Sequence, residues 1–432
     1  MHHRRTAVLA AGLSPFVIGC QAGDAPAPDA SSVTDSAGIE IVESAAPAWD
    51  GDGWRISDTP SVVIGRREGD ERYLLGWVGW RRGSIVLRDG RIAILDGQSA
   101  QVRVYSPEGE HIEDWGGHGE GPGEYSSPSS IFHYRGDSIL VSEFVASRFT
   151  ILDDQGRFGR NVVPEMGVSF VTEWRKRMEE GDRSWMPSES CCRMWGTLSS
   201  GDFLLSYPEM IPNTGTGTKR GAVSAAIVAG SGGAAEGVGD FAGGAYQLGL
   251  QGRPLRFHFA SEFAMAPGPD GFFATEGDAY SINEYDTNGR LRRIIRLTRE
   301  LRPVTDDIKA AHEARLREQI LAPGALIEGG SPEEVLEMML APPYPSHLPA
   351  FDHLLVDPEG NLWAGQSSYA GGGDDRTPDV NEFFVFAPGG RHLGVVEVPA
   401  DLSVQRIGSD FILALTYDDL EVSYVHIYAI ER

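Results

Sequence analysis

Six times along the chain a turn rich in Gly, Asp or Ser leads into a short apolar strand, and that recurrence limits the possible folds more than any other feature. The copies read DGRIAILD (89–96), GDSILVSE (136–143), SGDFLLSY (200–207), DGFFATE (270–276), EGNLWAGQ (359–366) and GSDFILALTY (408–417). Four are followed by a second alternating or aromatic run that Gly stops: VRVYSPEGE, RFTILDDQGR, NEYDTNGR and FFVFAPGGR. A third strand comes next in HIEDWG, LRRIIRL and HLGVVEV. With 54 Gly and 26 Pro among 432 residues, the chain has the turn residues that such a series of short strands needs.

A sheet repeat of this kind cannot bury both faces alone, so the copies must stack, and units of about four strands stack radially as propeller blades. The expected fold is all-β, a six-bladed β-propeller. Its blades fall at 83–115, 129–163, about 193–242, about 255–297, 353–398 and 403–430. The chain ends before blade six gains an outer strand, and Ser61–Gly65 is the segment expected to supply it, closing the ring and leaving fewer free edges. Two stretches break the repeat: 164–190, containing the charged run TEWRKRMEEGDRSW, and 298–345, containing DDIKAAHEARLREQIL and SPEEVLEMML with Ser331-Pro332 as a helix-start signal. These predict short helical insertions between blades two and three and between blades four and five. Both are connections from an outer strand to the next inner strand, so both should crown the face where the second strands end.

Gly119-Glu120-Gly121-Pro122-Gly123-Glu124-Tyr125, followed by Ser126-Ser127-Pro128, resembles the opening loop of an NHL-type repeat. The layout over roughly residues 60–430 is similar to that of six-bladed propeller lipoproteins of bacterial envelopes, which share the Gly-Pro-Gly-Glu loop. That resemblance implies a fold and an address and carries little chemistry. The N-terminus agrees with the address. Arg4 and Arg5 precede an apolar stretch from Ala7 to Ile18, too short to span a bilayer, and Val17-Ile18-Gly19-Cys20 resembles a lipobox in which Cys20 becomes the lipidated first residue. Residues 1–19 then form a signal peptide, 20–38 a flexible tether and 39–432 the propeller domain. The mature protein is expected at the cell envelope, on its periplasmic face or at the surface, anchored to the membrane by its N-terminal lipid.

Net charge is −25, so nucleic acid is excluded as a partner, because it needs a positive field. In the propeller register the second strands end at Asp96, Glu143, Tyr207, Glu276, Gln366 and Tyr417 around one mouth. Three carboxylates, an amide and two phenols can bind a cation, an amine or a sugar, or can cap turns and contact neighbours. Calcium-dependent propeller lactonases hold their metal with acidic and amide oxygens, the donor set that hard cations prefer, so resemblance makes Ca²⁺ the cofactor to test. GGGDDRTPDVNE (371–382) is an acidic loop whose spacing departs from the EF-hand pattern. Cys191 and Cys192, adjacent in an oxidising compartment, are candidates for a vicinal disulfide forming a rigid turn into blade three. His118 reads as a surface residue of the Gly-Pro-Gly turn. Most tryptophans read as blade packing, with Trp174 and Trp185 expected nearer a ligand. No nucleophile elbow, zinc-peptidase motif or P-loop occurs. The sequence therefore favours a monomeric, non-enzymatic binding module for a small molecule, glycan, peptide or envelope protein. The alternative is a calcium-dependent hydrolase or lactonase acting at the tunnel mouth.

Overall fold

Turn chemistry sets the frame. At Leu87–Gly90 the Gly90 N–H donates to the Leu87 carbonyl at 2.9 Å, with Gly90 at φ +88°, and Asp89 Oδ1 accepts from Arg91 N, so the chain reverses where only glycine sits without strain. The computed structural model describes residues 31–432 except 52, 80–81, 144–147, 165–175, 178, 182–184, 188–192, 213–214, 251–252, 323–329 and 367–379.

The described strands form seven sheets, a two-stranded one and six blades in which strands consecutive in the chain pair antiparallel. Blade one is Ser84–Val86, Ile92–Asp96, Gln101–Tyr105 and His111–Gly116; blade two is Pro128–His133, Ile139–Glu143, Arg148–Leu152 and Phe158–Val162. Blade four begins with Ala264–Gly268 and ends with Leu291–Leu297, and blade five begins with His353–Val356 and ends with His392–Pro399. Blade six comprises Ser403–Ile407, Phe411–Tyr417 and Ser423–Glu431. Each inner strand packs on the inner strand of the next blade, and Ser403–Ile407 packs on Ser84–Val86, which closes the ring. The fold is a six-bladed β-propeller with helical insertions.

Each blade is covered on both faces, which explains why the second strands are continuous apolar runs. Ile92–Asp96, Ile139–Glu143 and Leu362–Gln366 are buried at every position. The core runs between neighbouring blades: Ile85, Val102, Ile131 and Val141 fill the gap between blades one and two, and Ile64, Ile92, Ile94, Leu413 and Leu415 that between blades six and one. Ile64 belongs to Val62–Ile64, which pairs antiparallel with Val425–Ile427 as the outer strand of blade six; the Ser61–Gly65 expectation is met.

Three boundaries differ from expectation. Residues 31–38, read as part of the tether, form the strand Ser31–Ser36 and its turn; this strand pairs with Ile39–Ser44, which lies parallel to Leu291–Leu297 and widens blade four to six strands. Blade three is longer than predicted. Its hairpin Gly217–Val228 and Ala235–Leu250 extends past the second strand, and Arg253–Arg256 joins as a fifth strand instead of opening blade four. Within 164–190, Trp185–Pro187 is a strand paired with Met210–Pro212, and most of the predicted charged helix lies outside the described residues.

The second insertion matches its signals. Thr305 caps the helix Asp306–Ile320 through its hydroxyl, and Ser331 with Glu334 makes a capping box on Pro332–Leu340. His312, Leu316 and Ile320 face inward, and Phe259, Val304 and Leu348 pack with Ile308 and Tyr344 beneath the helix.

Candidate functional site at the crowned face

Gln366 shows that insertion and strand ends share one face. Its Nε2 donates to Tyr280 Oη at 2.9 Å, in the connection after the second strand of blade four, and to the Pro349 carbonyl at 3.0 Å, where the insertion re-enters blade five. The crown therefore joins blades four and five at the mouth.

The three carboxylates of the predicted ring are each engaged by the fold. Asp96 is buried; Oδ1 accepts from Gln98 N and Ser99 N at 3.0 and 3.3 Å, while Oδ2 lies 2.8 Å from Arg103 Nη2. Glu143 is buried too. Its Oε1 accepts from Ser126 N at 2.7 Å and Ser126 Oγ at 3.0 Å, and its Oε2 accepts from Arg148 Nε. Burial opposes its ionisation, but the hydrogen bonds from Arg148 and Ser126 outweigh burial, so its pKa lies below the ordinary glutamate value. Glu276 Oε1 accepts from Ala242 N at 2.7 Å, tying the blade-three hairpin to blade four. Among the described residues no three His, Cys, Asp or Glu groups come together in a metal-ligating arrangement. Two carboxylates already ion-paired to arginine do not fit a calcium donor set, which needs oxygens about 2.3–2.6 Å from a common point.

The neutral members behave differently. Tyr207 packs with Phe149, Met194 and Phe203 between blades two and three, and its buried hydroxyl has no hydrogen-bond partner. Burial raises its pKa. Gln366 is buried with both donors placed, yet its Oε1 accepts nothing. Tyr417, by contrast, is exposed at the end of blade six.

The Gly-Pro-Gly loop is a clasp between blades. Tyr125, fully buried, exchanges backbone bonds with Gly117 and Gly119, and the Glu124 carboxylate accepts from Gly121 N at 2.9 Å. A Cβ on Gly119 would fall 1.9 Å from Glu124 Oε2, so a side chain there would push the Glu124 carboxylate off Gly121 N. His118 Nε2 lies 3.1 Å from the Gln98 carbonyl, an exposed turn contact as expected.

Trp115, Trp195 and Trp363 are buried packing residues. Trp77 is not. It is 51% exposed, leaning on Gly97 beside the second-strand end of blade one, and its place between Gly76 and Gly79, outside any alternating strand, was the available signal. A second group escaped sequence reading: His258, His312 and Tyr344 stack at the crown, with His312 Nδ1 2.7 Å from Tyr344 Oη and the His258 and His312 rings 4.5 Å apart. Nothing in the spacing of these residues links them. Cys20, Cys191, Cys192, Trp174 and residues 371–379 of the acidic loop lie outside the described residues, and of Trp185 only the backbone is described.

No family model matches the chain. The RING finger protein nhl-1 of Caenorhabditis elegans is 30% identical over 78 residues, 18% of this chain and 8% of that protein, so the chain spans only a small part of that relative. A DUF4221 protein from Bacteroides vulgatus is similar in structure at 11% identity, over 88% of this chain and 98% of that one, with a TM-score of 0.45. A protein from Bacteroides fragilis described as exported has 12% identity over 91% and 100% of the two chains and a TM-score of 0.43. The calcium-binding protein regucalcin from Agrobacterium tumefaciens has 13% identity over 83% and 92%, with a TM-score of 0.36. No helix among the described residues is long and apolar enough to cross a membrane.

Proposed function

We propose that this protein is a lipid-anchored propeller of the bacterial envelope that binds an uncharged polar ligand, a glycan or a peptide, at its crowned face and performs no metal-dependent hydrolysis there. One observation carries the reading. The acidic members of the ring are held by arginine or backbone N–H groups, whereas Tyr207 Oη and Gln366 Oε1 are buried with no protein partner. A buried polar atom left unpaired costs about 1–3 kcal/mol, a penalty that a hydrogen-bonding ligand removes. Exposed Trp77 and Tyr417 add flat aromatic surface on the same face. The anchoring reading suits the rim geometry: Ser31 pairs with Ser44 at the crown-side end of blade four, so a lipid on Cys20 would hold that side toward the membrane.

The test is a screen of the mature protein on glycan and peptide arrays, followed by titration of the best binder. Tyr207→Phe is expected to weaken binding about tenfold, equivalent to ~1.4 kcal/mol, while thermal stability stays the same or rises because an unsatisfied hydroxyl leaves the core. A variant that binds normally but melts well below the parent would show that the hydroxyl serves the fold and would remove the support for this reading.

A further inference from the structure

Two glycines reserve the room that holds Trp77 in place. Gly76 and Gly97 both lie outside the left-handed region, so their backbone path does not call for glycine. The space beside them does. A Cβ on Gly97 would fall 2.3 and 2.8 Å from Trp77 Cε3 and Cζ3, and a Cβ on Gly76 would fall 2.4 Å from Gln98 Oε1. The indole therefore lies on Gly97, and the Gln98 side chain lies on Gly76. The segment that carries the ring is fixed to the mouth: Gly97 N donates to the Trp77 carbonyl at 2.8 Å, Val78 bridges to Asp96, and Ser423 Oγ of blade six donates to the Gly76 carbonyl at 2.9 Å. Ser423 pairs with Tyr417, so exposed Tyr417 belongs to the same rim.

Trp77 is half exposed although its position is set, and so forgoes burial that the apolar face of a ligand would supply. The carboxylates that flank this rim are already paired: Asp96 with Arg103, and Asp418 and Asp419, in the turn after Tyr417, with Arg67. Beside the ring stand exposed Gln98 and exposed His118, whose Nε2 lies 3.1 Å from the Gln98 carbonyl and so carries a hydrogen. A flat aromatic surface bordered by planar hydrogen-bonding side chains matches a sugar ring, with its C–H face on the indole and its hydroxyls toward the amide and imidazole. A quaternary ammonium would call for several aromatic faces around one point, as in an aromatic cage.

We infer that Trp77 is the stacking platform for a pyranose ring of a neutral glycan, with Gln98 and His118 as hydrogen-bonding partners of its hydroxyls. This names the ligand class of the crowned face and rests on the reading that a ligand is taken there.

Calorimetric titration of the mature protein with cellohexaose, maltohexaose and chitohexaose tests it, with choline as the cationic control. Saturable binding of at least one oligosaccharide is expected. Trp77→Ala is expected to weaken it about tenfold or more, as truncation of an aromatic anchor does, and Trp77→Phe, which keeps a smaller flat ring, to weaken it less. Gly97→Ala is expected to weaken binding too, because the added Cβ displaces the indole without removing it. Should Trp77→Ala fail to fold, Gly97→Ala carries the test. Tyr207→Phe separates the two readings. Binding that depends on Trp77 and not on Tyr207 would keep the platform and count against the reading carried by the buried hydroxyl; dependence on Tyr207 and not on Trp77 would do the reverse. No saturable oligosaccharide binding, oligosaccharide binding undiminished in the variants at 77 and 97, or saturable binding of choline instead would overturn the platform.

Discussion

A chain that starts at Arg66 is expected to lose at least ~4 kcal/mol of unfolding free energy relative to one that starts at Ser31, because it lacks the outer strand of blade six. Val62–Ile64 pairs with Val425–Ile427, and fully buried Ile64 fills the gap between the last blade and the first. Without it, Ser423–Glu431 becomes an unpaired edge, a template for aggregation. A chain that starts at Asp58 keeps this strand. It loses Ser31–Ser36 and Ile39–Ser44 from blade four, Arg55–Ile56, and the stack in which Trp49 lies on Trp54, Trp54 on Trp363, and Arg432 over Trp54 at 4.3 Å. Its loss is expected to be smaller than that of the Arg66 chain, which lacks all of these and the outer strand of blade six as well. Urea unfolding of the three chains checks the order, and equal midpoints for the Ser31 and Arg66 chains would contradict ring closure.

Arg148→Met is expected to cost ~3–5 kcal/mol at neutral pH, since it leaves the fully buried Glu143 carboxylate with only its Ser126 and Ser127 contacts. The pH dependence should reverse sign. In the parent the folded-state pKa of Glu143 is depressed, so its stabilisation is present above the unfolded pKa and is lost as pH falls through the lower, folded one. In the variant, burial is opposed only by the serine hydrogen bonds and is expected to raise that pKa, so stability should grow as pH falls through the raised value. Denaturant unfolding from neutral to mildly acidic pH would show the two curves converging, and a double variant with Glu143→Gln should recover most of the loss. A variant within 1 kcal/mol of the parent at neutral pH would mean that the pair contributes little.

The blades were legible because every second strand is buried on both faces and so announces itself as an unbroken apolar run between turns. The hairpin of blade three was less visible. Its strands, AVSAAIV and AEGVGDFAGGAY among them, are Gly- and Ala-rich and carry little side-chain signal over lengths of 12 and 16 residues. Ser31–Ser36 escaped because it is polar and almost wholly exposed; it is held by backbone pairing alone, and SSVTDS reads like a linker. At the mouth, sequence located the second-strand ends correctly but not their partners. Asp96 and Glu143 are engaged because Arg103 and Arg148, on the following strands, form ion pairs with them.

The central claim is that the mouth offers neutral hydrogen-bonding groups and no calcium site. The most direct measurement is the melting temperature of the domain in EDTA and in millimolar Ca²⁺, because a ligand that binds only the folded state raises stability by mass action. The account predicts the same melting temperature in both. A calcium-dependent rise abolished by Glu143→Gln or Glu276→Gln would contradict it and place a metal among these carboxylates.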